Sequence, residues 1–142
     1  MRFWDSSALV PVFLVEPTSD WVRKVMNSDP GVAVWALTRV ELMSAIERRR
    51  RDDPDLASRF SAARADVMKA WSIWTEIAMI EAVREHAERV VATHPLRAAD
   101  ALQLGAALVA AGGSPATLQF ITLDRRLAVA AEREGFPVLG PH

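Results

Sequence analysis

Short apolar runs alternate with helix-length segments along the whole chain, and this alternation constrains the fold more than any other feature of the 142 residues. The runs are Arg2-Phe3-Trp4, Val32-Ala33-Val34-Trp35, Ile73-Trp74-Thr75-Glu76-Ile77, Phe120-Ile121-Thr122-Leu123 and Val138-Leu139. Brief, mostly unbroken apolar runs of this kind suit strands buried on both faces. Helices are expected between them. The first runs from Ala8 onward, with Pro11 tolerated only in its opening turn. A second starts at Pro17-Thr18-Ser19-Asp20 and shows Val22, Val25 and Met26 on one side. Further helices are expected from Thr38 to the Arg48–Arg51 run, from Pro54 through Phe60 and Met68, and over Glu81–Ala92. The last two expected are Arg97–Ala111, closed by Gly112-Gly113, and Asp124–Glu134. Strand–helix alternation over this length predicts one α/β domain spanning residues 1–142, with a mostly parallel sheet covered on both faces.

Composition narrows the chemistry. Hydrophobic residues make up 51% of the chain and charged residues 25%, enough apolar material for a core and no case for disorder. The net charge of -1 gives no global attraction to nucleic acid, so any such binding must come from local placement of positive charge. There is no cysteine, which excludes disulfides, thiolate metal sites and a cysteine nucleophile. Lys24 and Lys69 are the only lysines; the other cations are arginines, which grip phosphates in a bidentate way. With no long apolar segment after a basic start, the chain reads as a cytoplasmic protein.

The acids are placed unevenly. In open parallel sheets the working site lies beyond the carboxyl ends of the strands. Asp5 ends the first apolar run, Asp124 follows the fourth, and Glu41 falls in the first turn of the helix after the second. Asp100 lies in a helix that is apolar nearly all round except for Arg97, Asp100 and Gln103, spaced i, i+3, i+6 in one stripe. Each acid also has a structural use. Asp5 and Asp124 can cap the helices they precede, Thr38-x-x-Glu41 has the form of a capping box, and Asp100 can pair with Arg97. Together, however, they bring four carboxylates to one sheet edge, where like charges raise one another's pKa. A hard divalent cation relieves that conflict, and carboxylates without His or Cys select Mg²⁺ or Mn²⁺. Such a site can activate a water and steady the leaving oxygen of a phosphodiester.

Four segments, in order, resemble the PIN-domain ribonucleases, and most nearly the VapC-type toxins of bacterial toxin–antitoxin pairs. They are Phe3-Trp4-Asp5-Ser6-Ser7-Ala8-Leu9, Thr38-Arg39-Val40-Glu41-Leu42, His94 through Leu104, and Phe120 through Leu127. The resemblance spans essentially the whole chain; the Leu96–Leu104 stretch is the most specific. It implies a three-layer α/β/α sandwich and a Mg²⁺- or Mn²⁺-dependent endoribonuclease. Asp5, Glu41 and Asp100 would be core metal ligands and Asp124 a fourth acid often acting through water. Ser6 and Thr122 would support the site by hydrogen bonding. It also implies a homodimer held inactive by an antitoxin whose carboxyl-terminal segment lies in a groove near the acids, to which Trp71 or Trp74 can contribute apolar surface. Core or dimer-interface roles suit those tryptophans better.

Arg97, Arg125 and Arg126 stand beside the proposed acids and are candidates for holding the RNA backbone. Pairing of Arg97 with Asp100, and solvated helix starts for the other two, are the simpler uses. The Arg48–Arg51 run reads as a solvated helix end offset by Asp52 and Asp53, with RNA contact the lesser alternative. His86, His94 and His142 show no partners that suggest a triad or a zinc site. A phosphoacceptor receiver domain needs a lysine late in the chain, and none follows Lys69. No glycine-rich phosphate loop is present. A non-catalytic PIN-like binding module and a nuclease acting on DNA remain the competing readings.

Overall fold

A computed structural model of the chain describes residues 1–141, so His142 lies outside the described residues. Five strands are present: β1 (Arg2–Trp4), β2 (Val32–Trp35), β3 (Thr75–Ile77), β4 (Gln119–Ile121) and β5 (Val138–Leu139). They form one sheet in the order β3-β2-β1-β4-β5, with every neighbouring pair parallel. Seven α-helices connect them: α1 (Ser6–Phe13), α2 (Ser19–Ser28), α3 (Thr38–Asp52), α4 (Ala57–Trp71), α5 (Ile80–Thr93), α6 (Ala98–Ala111) and α7 (Arg125–Arg133). Single 3-10 turns lie at Pro54–Leu56 and Pro115–Thr117.

The period of two along each strand divides the core into two layers. Phe3, Ala33, Trp35 and Phe120 face one way, packing with Val83 and Val90 of α5, Leu104 of α6 and Leu127 of α7. Trp4, Val32, Val34 and Ile121 face the other way, against Leu9 of α1, Val22 of α2, Leu42 of α3 and Val67 of α4. The chain is therefore an α/β/α sandwich, with α1–α4 on one face and α5–α7 on the other. That segregation follows from topology. The strands step outward from β1 to β3, then return to the opposite side of β1, and crossovers of one hand change face when direction reverses. The reversal leaves a crevice between the carboxyl ends of β1 and β4.

Three local expectations are corrected. Pro11 is not in an opening turn: α1 starts at Ser6, directly after its cap Asp5, so the proline is a buried interior residue in the second turn. The helix ends at Phe13, within a turn of it. Strand β4 begins at Gln119 and ends at Ile121, so Thr122 and Leu123 lie in the loop beyond it. The arginine run is offset by Glu16, which pairs with Arg49, and by Glu47, which pairs with Arg50, and not by Asp52 and Asp53. Trp71 is a core residue, buried against Phe13's neighbour Trp74 and covered by the Arg39 guanidinium at 5.6 Å from its ring. No helix among the described residues is long and apolar enough to cross a membrane.

Candidate active site

The β1–α1 and β4–α7 loops meet at the crevice and are tied through Asp5. Its backbone N–H donates to Ile121 O at 3.1 Å, continuing the β1–β4 ladder one step past the strand. The Asp5 side chain turns inward and is only 3% exposed. Ser7 Oγ donates to Asp5 Oδ1 at 2.6 Å, and Thr122 Oγ1 donates to Oδ2 at 2.8 Å. The Ala8 N–H donates to Oδ1 at 3.3 Å, so Asp5 is also the cap of α1. Ser7 Oγ in turn accepts from the Leu123 N–H at 2.9 Å, and Thr122 Oγ1 accepts from the Asp124 N–H at 3.0 Å. Burial pushes the Asp5 carboxyl up to about 6 from its ordinary 3.8, against the pull of these donors.

Glu41 reaches the same place from α3. The capping box does not form: Thr38 lies inside the helix after Leu37, and no side chain caps that end. Thr38 is fully buried and accepts a hydrogen bond from Gln103 Nε2 at 2.8 Å. The same Gln103 nitrogen donates to Glu41 Oε1 at 2.9 Å, while Ser6 Oγ donates to Glu41 Oε2 at 2.9 Å. Both oxygens of Glu41 are thus oriented by α6 and α1. Burial, and then the nearby negative charge of Asp100, hold the Glu41 carboxyl above its usual range.

Asp100 stands in the first turn of α6, half-buried, with neither a hydrogen bond nor an ion pair to Arg97. Burial and then the Asp124 carboxylate raise its pKa, while Arg97 and Arg126 act in the opposite sense. Asp124 caps α7, accepting from the Arg126 N–H at 2.8 Å and the Leu127 N–H at 3.1 Å, both through Oδ1. All four acids line one cleft of about 500 Å³, with Ser6 and Ser7 at its base and Arg48 on its α3 wall.

A PIN-domain model matches residues 2–133. The chain belongs to the PIN-domain family. Two relatives, ribonuclease VapC45 of Mycobacterium tuberculosis strain CDC 1551 / Oshkosh and ribonuclease VapC49 of strain H37Rv, are each 27% identical over 133 residues. The match covers 94% of this chain and 90% of each relative. Among solved structures, a toxin–antitoxin complex from Klebsiella pneumoniae is similar with a TM-score of 0.70. It is 17% identical, and the likeness covers 100% of this chain and 98% of that one.

In this PIN domain the sequence-selected acids Asp5, Glu41, Asp100 and Asp124 share a cleft, and Ser6 and Thr122 each hydrogen-bond one of them. Ser7, Thr38 and Gln103 were not assigned these contacts from sequence. The available signal was Gln103, a polar residue in line with Asp100 on an apolar helix, and 1% exposed. His94 does have a carboxylate partner, Glu134 at 2.8 Å, but Glu134 is also bound by Arg89 and caps the far end of α7. That contact is a structural tie away from the four acids.

Among the described residues no three acid or histidine side chains are drawn together tightly enough to enclose an ion by themselves. The residues nonetheless suit a hard cation. Every carboxyl in the cleft offers oxygen, burial raises the pKa values of Asp5, Glu41 and Asp100, and charge repulsion adds to it for Glu41 and Asp100, a cost that a divalent ion removes. Mg²⁺ retains several waters and needs only one or two direct carboxylates, so an open arrangement of acids is compatible with it.

Proposed function

We infer that this PIN-domain chain is a metal-dependent endoribonuclease and the toxin of a toxin–antitoxin pair, with Asp5, Glu41 and Asp100 holding Mg²⁺ or Mn²⁺ and Asp124 acting through water. The observation that carries this reading is the convergence of four carboxylates from four separate segments on one switch-point cleft. The two relatives are ribonucleases and the structural neighbour is a toxin–antitoxin complex, which supports RNA as the substrate class and an antitoxin as the partner class. When bound, the ion supplies polarisation of a water for in-line attack and positive charge at the leaving oxygen. The chain's own part is positional. Ser7 and Thr122 keep the Asp5 oxygens in place, Ser6 and Gln103 hold Glu41, and the caps of α1 and α7 anchor the loops that carry Asp5 and Asp124. A homodimer is part of the same reading, supported by Ile73, Met79 and Ile80, which stand exposed beside edge strand β3.

The test is incubation of the purified chain with total RNA and with single- and double-stranded DNA in Mg²⁺ or Mn²⁺. RNA should be cut, a chelator should stop the cutting, and added Mg²⁺ or Mn²⁺ should restore it. Intact RNA in the presence of either metal, from protein that is folded by circular dichroism, overturns the reading. Cutting of DNA in preference to RNA overturns the substrate assignment.

A second expectation concerns the support of Glu41. Gln103→Leu keeps much of the volume but removes the donor shared by Glu41 and Thr38. Loss of an outer hydrogen-bond partner at a metal site lowers affinity or activity by about 10- to 100-fold. RNA cleavage should fall by that factor, and the Mn²⁺ concentration giving half-maximal rate should rise. An unchanged Mn²⁺ requirement would show that Gln103 does no more than fill space.

A further inference from the structure

Three clefts share lining residues and run from the carboxyl edge of the sheet down the flank of α7. The acid cleft bears Arg48 on one wall. Asp100 and Asp124 form the wall that it shares with a second cleft of about 390 Å³, whose other side is Arg97, Arg125 and Arg126. Those last two arginines and Pro95 border a third cleft of about 350 Å³ that extends to Val129 and Arg133. The acids therefore lie within a continuous trough, with guanidinium groups on either side of them.

These arginines are not engaged by the protein. Arg49, Arg50, Arg64 and Arg89 each pair with a glutamate. Arg48, Arg97, Arg125, Arg126 and Arg133 are exposed, and their guanidiniums have no hydrogen-bond or ion-pair partner among the described residues. The contrast is sharpest within one helix turn: Arg49 and Arg50 turn to Glu16 and Glu47, leaving Arg48 on the wall of the acid cleft. Guanidiniums that stand near carboxylates without closing on them remain available to an external anion. Several in a row match a polyanion better than a single phosphate. No phenylalanine or tryptophan lines the three clefts, and His94, which borders the third, is buried and held by Glu134, so capture falls to the backbone.

We propose that the trough is the track of one RNA strand, which crosses the acid cleft with Arg48 on one side and runs along Arg97, Arg125 and Arg126 to Arg133. This rests on the ribonuclease reading and deepens it by assigning the substrate path. Because the grip is on phosphates, binding in the track tolerates many base sequences, and base discrimination must come from outside it.

The experiment measures binding of labelled single-stranded RNA by Asp100→Asn protein across a salt series, with Arg48→Gln and Arg133→Gln added separately. Both arginines are exposed, so the fold is preserved. Each substitution should weaken binding about 3- to 10-fold and flatten the dependence of log K on log salt by about 0.7, one single-strand phosphate contact. In the otherwise wild-type enzyme the loss should appear in KM rather than kcat. Shortening the oligonucleotide from one end should erase the Arg133 effect first and from the other end the Arg48 effect first; the same order of loss from both ends overturns the track. Unchanged affinity and salt slope in both variants, with wild-type protein still cutting RNA, overturns the track alone. No cutting by wild-type protein overturns the ribonuclease reading as well. Loss of binding to an acidic polypeptide with RNA binding intact assigns the trough to a protein partner, and that also overturns the proposal.

Discussion

Asp100→Asn protein should cleave RNA about 10³-fold more slowly than the wild type, or below detection, while melting at the same temperature or higher. A factor of that size is about 4 kcal/mol of transition-state stabilisation. Asp100 is singled out by what its oxygens do not do. Asp5 already accepts from Ser7, Thr122 and the Ala8 N–H, and Asp124 commits Oδ1 to the start of α7. Asp100 has no hydrogen-bond donor among the described residues, and burial and Asp124 outweigh the attraction of Arg97 and Arg126, so its charge is a net cost to the fold. Removing that charge relieves Glu41, whose pKa it raises, and ends the repulsion between Asp100 and Asp124. Fold and function should therefore separate: activity lost, stability kept. Rates by gel or fluorescence, alongside thermal melts in chelator, measure both. Wild-type-like cleavage removes Asp100 from the mechanism. Asp124→Asn should lose less activity than Asp100→Asn, because the asparagine can still cap α7 and its role is the more distant one.

The layered fold was legible because buried parallel strands carry unbroken apolar runs, and Phe3, Val32–Trp35 and Phe120–Ile121 needed no context to be recognised. The acids were legible for a related reason: in such sheets the loop after a strand is also the edge of the site, so Asp5 and Asp124 are placed by position alone. What one segment cannot show is which distant partner a side chain finds. Gln103 meets Glu41 62 residues away, and Ser7 meets the β4–α7 loop 116 residues away. Thr38 and Glu41 illustrate the limit from the other side. Their spacing fits a capping box, but the helix begins one residue too early for Thr38 to be its cap, and tertiary contact with α6 takes both side chains instead. The arginine run misled similarly: adjacent Asp52 and Asp53 were the obvious counter-charges, yet helix geometry directs Arg49 and Arg50 to Glu16 and Glu47.

The largest stability effect should be a dependence on pH that metal reverses. In chelator, the protein should become less stable as pH rises from about 4 to 6. Asp5 is the main cause. Its pKa in the folded chain is about 6, against an ordinary 3.8, so within that window the unfolded chain has released its proton while the folded chain retains it. The folded state binds more protons, and stability falls with increasing pH. At about 1.36 kcal/mol per pH unit the full difference approaches 3 kcal/mol, on the order of 10 °C in Tm for a chain of this size. Glu41 and Asp100 are raised as well and act in the same sense. Glu134 acts oppositely: Arg89 and then His94 lower its pKa, so its stabilisation is present above its ordinary value of 4.5 and is lost as pH falls through the lower folded value. Its window lies below that of Asp5, and the two effects should resolve as a stability maximum on the acid side of neutrality. Mg²⁺ or Mn²⁺ binds the ionised acids of the folded chain, adding about 2.7 kcal/mol at a concentration 100 times the Kd, and only where the carboxylates are deprotonated. Saturating metal should therefore flatten or invert the fall between pH 4 and 6. Asp5→Asn should abolish most of that fall in chelator and gain less than the full 3 kcal/mol at neutral pH, because one amide oxygen cannot serve all the donors around it. Thermal melts across pH, with and without metal, decide the matter; a chelator curve that rises from pH 4 to 6 would mean that Asp5 is not held as a buried, proton-retaining acid.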